Sequence, residues 1–358
     1  MIIPFIFSLV IALVALLLIA AEQLSSFSFR PADHFTYMDL IGGGADIDNV
    51  ANTAVVFIYR VPYELFGIWG IYILNLIAVT IILVFSYRLL DRDAYVRFYV
   101  CVAPILFILV PSVQREIPLA LGSVFLLHWL LNGVRVTNSL LGVVGLTAML
   151  VRPIYGAIFL YHIALRFLLF RTLIGYCVLI IPIYIYILND DYYYAENISR
   201  LSSAVDNSSA YLGGLFLANH QTPEVFITMV AYNFTMNMFG GVLSFVRNFN
   251  DNILLNPIGF GNLFVSVLLG IELLKSIRCG GICSVYMKSF LSLVLFVSTA
   301  SWVWGPRYIF PFLILPFIAN SRLKLKRRSV AAKKESGRVS RYREKSHDLG
   351  LNTSRNLT

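Results

Sequence analysis

Long apolar runs recur along most of this chain, parted by short polar breaks. They fall at residues 2–21, 68–87, 98–113, 117–133, 138–151, 154–170, 172–189, 257–274, 289–304 and 308–320. Runs of this length exceed what a barrel strand needs and approach what a helix needs to cross a bilayer. In hydrocarbon every backbone polar group must pair inside its own segment, so the spanning element is a helix. The pattern predicts an all-α fold, a polytopic transmembrane helical bundle of about ten spans. Residues 1–320 form one membrane domain, and 321–358 form a separate polar tail.

The polar breaks set an expected topology. Arg88, Arg92 and Arg97 cluster after the second run, Arg135 follows the fourth, and Arg166 and Arg171 sit at the next inner turn. Arginines at this density mark cytoplasmic turns. Two larger loops, 22–67 and about 189–223, then lie on the outer face, with three short outer tips at Arg115, at Arg152-Pro153 and at Gly305-Pro306-Arg307. The part of the first loop from Asn49 to Phe66 has apolar residues at mixed spacing, which suits a segment along the membrane surface. Residues 224–246 are apolar enough to cross but contain Asn233, Asn237 and two glycines. Counting them puts the basic tail outside, so parity favours a re-entrant or interfacial segment, with both termini cytoplasmic. The alternative is one long, proline-kinked helix over 289–320, which restores parity with 224–246 as a span.

Composition agrees with the membrane class. The chain is 58% hydrophobic and 13% charged, with mean hydropathy +0.77. A soluble domain carries about 25% charged residues. The net charge of +9 is not a nucleic-acid signature, because it is confined to the tail. From Ser321 to Thr358 there are twelve Lys and Arg against Glu335, Glu344 and Asp348, so the rest of the chain is neutral. A basic, disordered cytoplasmic tail that meets anionic headgroups is expected, with no nucleic-acid partner. Cys101 and Cys177 lie in apolar runs, and Cys279 and Cys283 have no second ligand pair, so neither a disulfide framework nor a zinc site is expected.

Ionisable residues beside apolar spans are costly and mark function by default. The topology gathers Asp33, Arg115, Arg152 and Arg307 on the outer face. Arg115 lies between Pro111 and Pro118, Arg152 precedes Pro153, and Arg307 follows Pro306. Proline frees backbone groups to line a wet cavity. Arginine's planar fork suits phosphate oxygens better than lysine's point charge. An arginine at a helix end also snorkels to headgroups, but positive-inside bias disfavours outer-tip arginines with that role alone. The candidate catalytic set is therefore Asp33, Arg115, Arg152 and Arg307, acting on an anionic lipid-linked substrate. Asp33 is a general base for an acceptor hydroxyl or, with His34, Asp39 or Asp46, a divalent-metal ligand. No metal site or cofactor is assigned, though a divalent metal stays open. Tyr37 and Tyr211 are candidate sugar contacts, or interfacial aromatics. There is no Gly-rich phosphate loop with a following Lys, no G-x-S-x-G elbow and no H-E-x-x-H. Acidic residues are scarce inside the spans, which disfavours a proton-coupled transporter.

The order of these features resembles a known family. Asp33 and Tyr37 follow the first run, Phe57-Ile-Tyr-Arg-Val-Pro-Tyr-Glu-Leu-Phe-Gly67 leads into the second, and Pro111-Ser-Val-Gln-Arg-Glu116, Arg152-Pro153 and Arg307-Tyr308 follow. This is similar to the EpsG and Wzy-like polymerases of bacterial exopolysaccharide and O-antigen, over roughly residues 1–320. The resemblance implies a bacterial inner-membrane enzyme that joins oligosaccharide repeat units carried on undecaprenyl pyrophosphate at the periplasmic face. It implies a chain-length regulator as a possible protein partner. Arg115 matches the family's arginine after the third span, and Asp33 its early acidic residue. The chain departs from the pattern in two places. Gln114 precedes Arg115 where the family often has Gln after Arg, and Arg152-Pro153 stands where a His is common. The late Arg307-Tyr308 pair, with Tyr308 as a substrate contact, resembles equally the GT-C glycosyltransferases, which add single sugars from polyprenyl phosphate donors. A lipid-sugar flippase is a third reading, and it requires a polar path that the runs lack.

Overall fold

The computed structural model describes residues 2–24, 32–43, 50–132, 136–151, 223–247, 257–278, 285–300 and 309–321. Among them every regular element is helical. In chain order these are α1 (Ile2–Leu24), α2 (Ala32–Gly42), α3 (Val50–Phe66), α4 (Ile68–Leu89), α5 (Arg92–Leu109), α6 (Glu116–Asn132), α7 (Val136–Ala148), α8 (Pro223–Arg247), α9 (Pro257–Arg278), α10 (Val285–Ala300) and α11 (314–321). Short 3₁₀ turns follow α7 at Met149–Val151 and precede α11 at Phe310–Phe312. Two of the described helices, α1 and α4, are long and apolar enough to cross a membrane, and α6, α7, α10 and the stretch 310–321 contain shorter apolar segments.

α1 shows how the sequence sets the packing. Its buried positions are Pro4, Ser8, Ile11, Ala12, Ala15 and Ile19, the spacing of one helix face. Three of them are small, so α4 can approach closely. Tyr72 Oη donates to the Ala12 carbonyl at 2.9 Å, and the Ser8 and Thr80 hydroxyls meet at 2.5 Å. The opposite face carries Leu9, Leu13 and Leu17, all exposed. α1 is therefore apolar on both sides.

The stretch read as a polar outer loop, 22–67, contains α2 and α3. α3 ends in a sharp bend into α4. Gly67 takes φ +59°, and a Cβ on Gly70 would lie 1.9 Å from the Pro62 carbonyl oxygen. Only glycine permits that crossing. It lays the middle of α3 against the first turns of α4, which brings Tyr59 beside Asn75.

α5 buries most of its length and packs against α1, α4 and α9. Its start differs from the expected one at 98. Asp91 accepts from the Ala94 amide at 2.7 Å and caps the helix, so Arg92, Asp93 and Arg97 are helical and not part of a loop. At this end Glu272 of α9, 1% exposed, takes Arg97 Nε at 2.6 Å, Lys275 Nζ at 3.1 Å and Asn320 Nδ2 at 2.7 Å. Asn320 Oδ1 also accepts from the Ser276 hydroxyl at 2.6 Å, and Ser321 Oγ accepts from the Asp91 amide at 3.0 Å. The root of the basic tail is thus fixed to the start of α5.

Residues 224–246, expected to be re-entrant or interfacial, belong to one unbroken helix. α8 has 25 residues, roughly 37 Å at 1.5 Å per residue. A re-entrant hairpin needs a break, and α8 has none. Its asparagines find partners across the bundle. Asn233 Nδ2 donates to the Ser298 carbonyl at 3.2 Å and Asn237 Nδ2 to the Ser298 hydroxyl at 3.0 Å, both from α10.

Candidate functional site

The connection between α5 and α6 is the most heavily supported turn among the described residues. Pro111 cannot extend α5, and Pro118 sits in the first turn of α6, where its missing N–H costs nothing. Between them the chain reads Ser112-Val113-Gln114-Arg115-Glu116. Ser112 closes the last turn of α5, its hydroxyl donating to the Ile108 carbonyl at 2.9 Å and its amide to Leu109 at 3.1 Å. The turn is buried, with Ser112, Val113 and Gln114 at most 1% exposed. Buried backbone groups outside a helix must find partners elsewhere.

Three side chains from three helices supply them. Asn75 of α4 donates through Nδ2 to the carbonyls of Val110 at 3.1 Å and Ser112 at 2.8 Å. Tyr59 of α3 donates to Asn75 Oδ1 at 2.8 Å and to the Gln114 carbonyl at 3.1 Å. His34 of α2 accepts the Val113 amide on Nδ1 at 2.9 Å. That bond fixes the His34 tautomer, because Nδ1 must keep its lone pair and the ring proton sits on Nε2. Burial pushes the Tyr59 phenol well above its ordinary range, and the nearby Glu116 charge adds to this, so Tyr59 stays a donor. The clamp itself is made of neutral groups.

Charge enters at the next two residues. Arg115 is half-buried. Its Nη2 donates to Asn52 Oδ1 of α3, and its guanidinium carbon lies 4.9 Å from the centre of the Tyr37 ring of α2. A guanidinium over a tyrosine face is held electrostatically and stays planar and oriented. Glu116, 2% exposed, opens α6, where the helix dipole favours an acid. Gln114 Nε2 is buried and makes no hydrogen bond among the described residues. The arrangement is an oriented cation with amide and phenol groups round it, suited to hold an anion's oxygens.

The structure brings together two of the residues singled out from sequence, Tyr37 and Arg115. Asp33 lies in the first turn of α2, one turn before Tyr37, and its side chain falls outside the described part. Arg152, Arg307, Tyr211 and Tyr308 lie outside the described residues. The 3₁₀ turn Met149–Val151 packs on α3, the helix that holds Asn52. His34 is part of the clamp. No group of three or more metal-ligating side chains occurs among the described residues.

Asn52, Tyr59 and Asn75 were not singled out from sequence. Asn75 carried a usable signal, an amide inside the run Tyr72-Ile-Leu-Asn-Leu-Ile77. A polar residue there is costly unless it bonds something specific. Tyr59 and Asn52 carried no comparable signal, since each reads as an ordinary residue of a polar loop.

Beside this site a cleft opens between α3, α4, α6 and α7, with a volume of about 620 Å³. Tyr59, Asn75 and Ile117 form its buried floor, and Phe57, Val143 and Val144 stand exposed at its rim. Comparison with protein-family models, with curated proteins and with solved structures returns no match.

Proposed function

We propose that this chain is a membrane glycosyltransferase that joins oligosaccharide repeat units carried on undecaprenyl pyrophosphate, at the periplasmic face of a bacterial inner membrane. The observation that carries the reading is Arg115, oriented by Asn52 and Tyr37 on a buried turn that neutral side chains hold in place. A phosphate ester leaving a sugar develops charge on its oxygens, and an oriented guanidinium stabilises it. In the proposed step an acceptor hydroxyl attacks the anomeric carbon of the donor sugar. The carbon–oxygen bond to pyrophosphate breaks, and pyrophosphate departs with the electron pair. Asp33, one turn from Tyr37, takes the hydroxyl proton. Arg115, Arg152 and Arg307 share the departing charge, and Tyr37, Tyr211 and Tyr308 contact sugar.

Two further features support the membrane setting. α1 and α4 are apolar on faces that the rest of the described chain leaves exposed, which lipid accommodates and water does not. Arg88, Arg92, Arg97, Lys275 and the root of the basic tail gather at the start of α5, opposite Arg115. Positive-inside bias makes that end cytoplasmic and the Arg115 end periplasmic.

The test is the gel profile of surface polysaccharide from a host strain lacking this protein, complemented with the wild-type chain or Arg115→Ala at matched membrane levels. The expected result is loss of the ladder down to a single repeat unit, restored by wild type and not by the variant. A ladder that persists with every rung lighter by one sugar favours single-sugar transfer instead. An intact ladder with Arg115→Ala removes Arg115 from the chemistry.

A further inference from the structure

We infer that the side-chain amide of Gln114 is a second donor to the anion held at Arg115. This rests on the proposed function and adds a substrate-binding residue to it. Backbone groups along the α5–α6 turn find partners. Asn75 donates to the carbonyls of Val110 and Ser112, Tyr59 donates to the carbonyl of Gln114, and His34 accepts the amide of Val113. The Arg115 carbonyl accepts the Leu119 amide at 3.2 Å in the first turn of α6. Gln114 Nε2 stands apart. The residue is 1% exposed, and this nitrogen bonds no group among the described residues. A buried donor without an acceptor is costly, and an apolar side chain of the same shape avoids that cost. An acceptor that arrives with a ligand also removes it.

Two helix faces place that residue with Arg115. His34 and Tyr37 lie one turn apart on α2 and share a face. His34 meets Val113, and the Tyr37 ring lies against the guanidinium. Asn52 and Tyr59 lie two turns apart on α3, also on one face. Tyr59 meets the Gln114 carbonyl, and Asn52 accepts from Arg115 Nη2. Residues 113–115 therefore run between the same two walls. Within them Gln114 and Arg115 are chain neighbours, with Cα atoms about 3.8 Å apart. The guanidinium only donates hydrogen bonds, and the amide donates through Nε2. An oxyanion with several acceptor oxygens, such as a pyrophosphate, can take both.

The experiment measures binding of undecaprenyl pyrophosphate to the full chain in phosphatidylethanolamine vesicles, and the melting temperature of the same protein without ligand. Gln114→Met keeps the length of the side chain and removes its N–H groups. It should weaken binding about tenfold, the loss of one hydrogen bond to a charged acceptor. Its ligand-free melting temperature should stay the same or rise, because no buried donor is left unmet. A residue with a merely structural role would show the opposite pattern. Gln114→Glu keeps the shape but sets a carboxylate against the anion, and binding should fall about 100-fold. Binding by Gln114→Met equal to that of wild type overturns the inference. A ligand-free melting temperature several degrees lower overturns it too, since the amide then holds polypeptide and not ligand. Should the Gln114→Met chain fail to accumulate, Gln114→Glu decides, and wild-type binding by that variant overturns the inference. A wild-type chain that binds no polyprenyl pyrophosphate sinks the proposed function itself. Weakened binding by Gln114→Met together with an intact polysaccharide ladder in cells lacking the protein keeps the second donor and sinks the glycosyltransferase reading.

Discussion

Two polar nodes sit at opposite ends of α5, some 18 Å apart from Arg97 to Leu109 at 1.5 Å per residue. They are built on opposite lines. At the start of α5 charge closes on charge, since Glu272 is buried and takes Arg97, Lys275 and Asn320. At the far end neutral groups do the holding. Asn75, Tyr59 and His34 meet the backbone of the α5–α6 turn, and the cation that the turn carries rests on an amide and an aromatic face. The first arrangement is an ion-pair network that ties three segments together. The second holds a buried turn through neutral side chains and sets Arg115 against an amide and an aromatic face. The two nodes therefore differ in what their polar groups hold, charge in one and backbone in the other.

That contrast can be broken by substitution, and the largest effect belongs to Arg115. Arg115→Ala should lower the rate of repeat-unit joining about 100-fold or more, by analogy with removal of one preorganised donor from a charge-stabilising site. Its melting temperature should move little, because the turn is held by other side chains. Glu272→Ala should do the reverse. It should cost about 3 kcal/mol of stability, the low end for breaking a buried pair, since Arg97 and Lys275 are partly exposed. Reduced accumulation and a lowered denaturation midpoint are the readouts, with the rate per folded molecule nearly unchanged.

Asn75→Ala should affect both properties. It leaves the buried carbonyls of Val110 and Ser112 without the Asn75 amide and leaves the Tyr59 hydroxyl only the Gln114 carbonyl, a cost of about 2 kcal/mol, and it loosens the turn that carries Arg115. Stability and rate should fall together, measured on one purified sample. The smallest effect is at Tyr37. Tyr37→Leu removes the aromatic face and should cost about 1 kcal/mol in binding a phosphate-headed ligand, while Tyr37→Phe keeps the face and should bind nearly as wild type. Equal losses in both variants would mean that the phenol, not the ring, matters at this position.

Much of the helical architecture is visible in the hydrophobic runs, because burial of a helix face leaves a spacing that the residues themselves carry. α1 and α4 fall within a few residues of their expected bounds. The position of Arg115 is legible for a related reason, as Pro111 and Pro118 force a turn between two runs. α2 and α3 were not legible as helices. Their residues are mixed in polarity, and they are held by tertiary contacts such as Tyr59 on Asn75 and His34 on Val113. The start of α5 was misplaced because Asp91, Arg92, Asp93 and Arg97 look like a loop by charge alone, whereas Asp91 is a cap and Arg97 an ion-pair partner. The re-entrant reading of 224–246 fails for the opposite reason. Asn233 and Asn237 both bond Ser298 across the bundle and leave α8 unbroken, a continuity that an interfacial helix shares. In each case the missing information was a partner far away in sequence. The meeting of Tyr37 and Arg115, 78 positions apart, is of the same kind.

The central claim is that the Arg115 end binds and acts while the Glu272 end only holds. Its most direct test is Arg115→Lys in the purified full chain, assayed for joining of lipid-linked repeat units in vesicles alongside its melting temperature. Lysine keeps the charge but loses the planar fork, so the account predicts a rate lower by about 100-fold with an unchanged melting temperature. A rate within about threefold of wild type would mean that any cation suffices there, and the oriented guanidinium would lose its role.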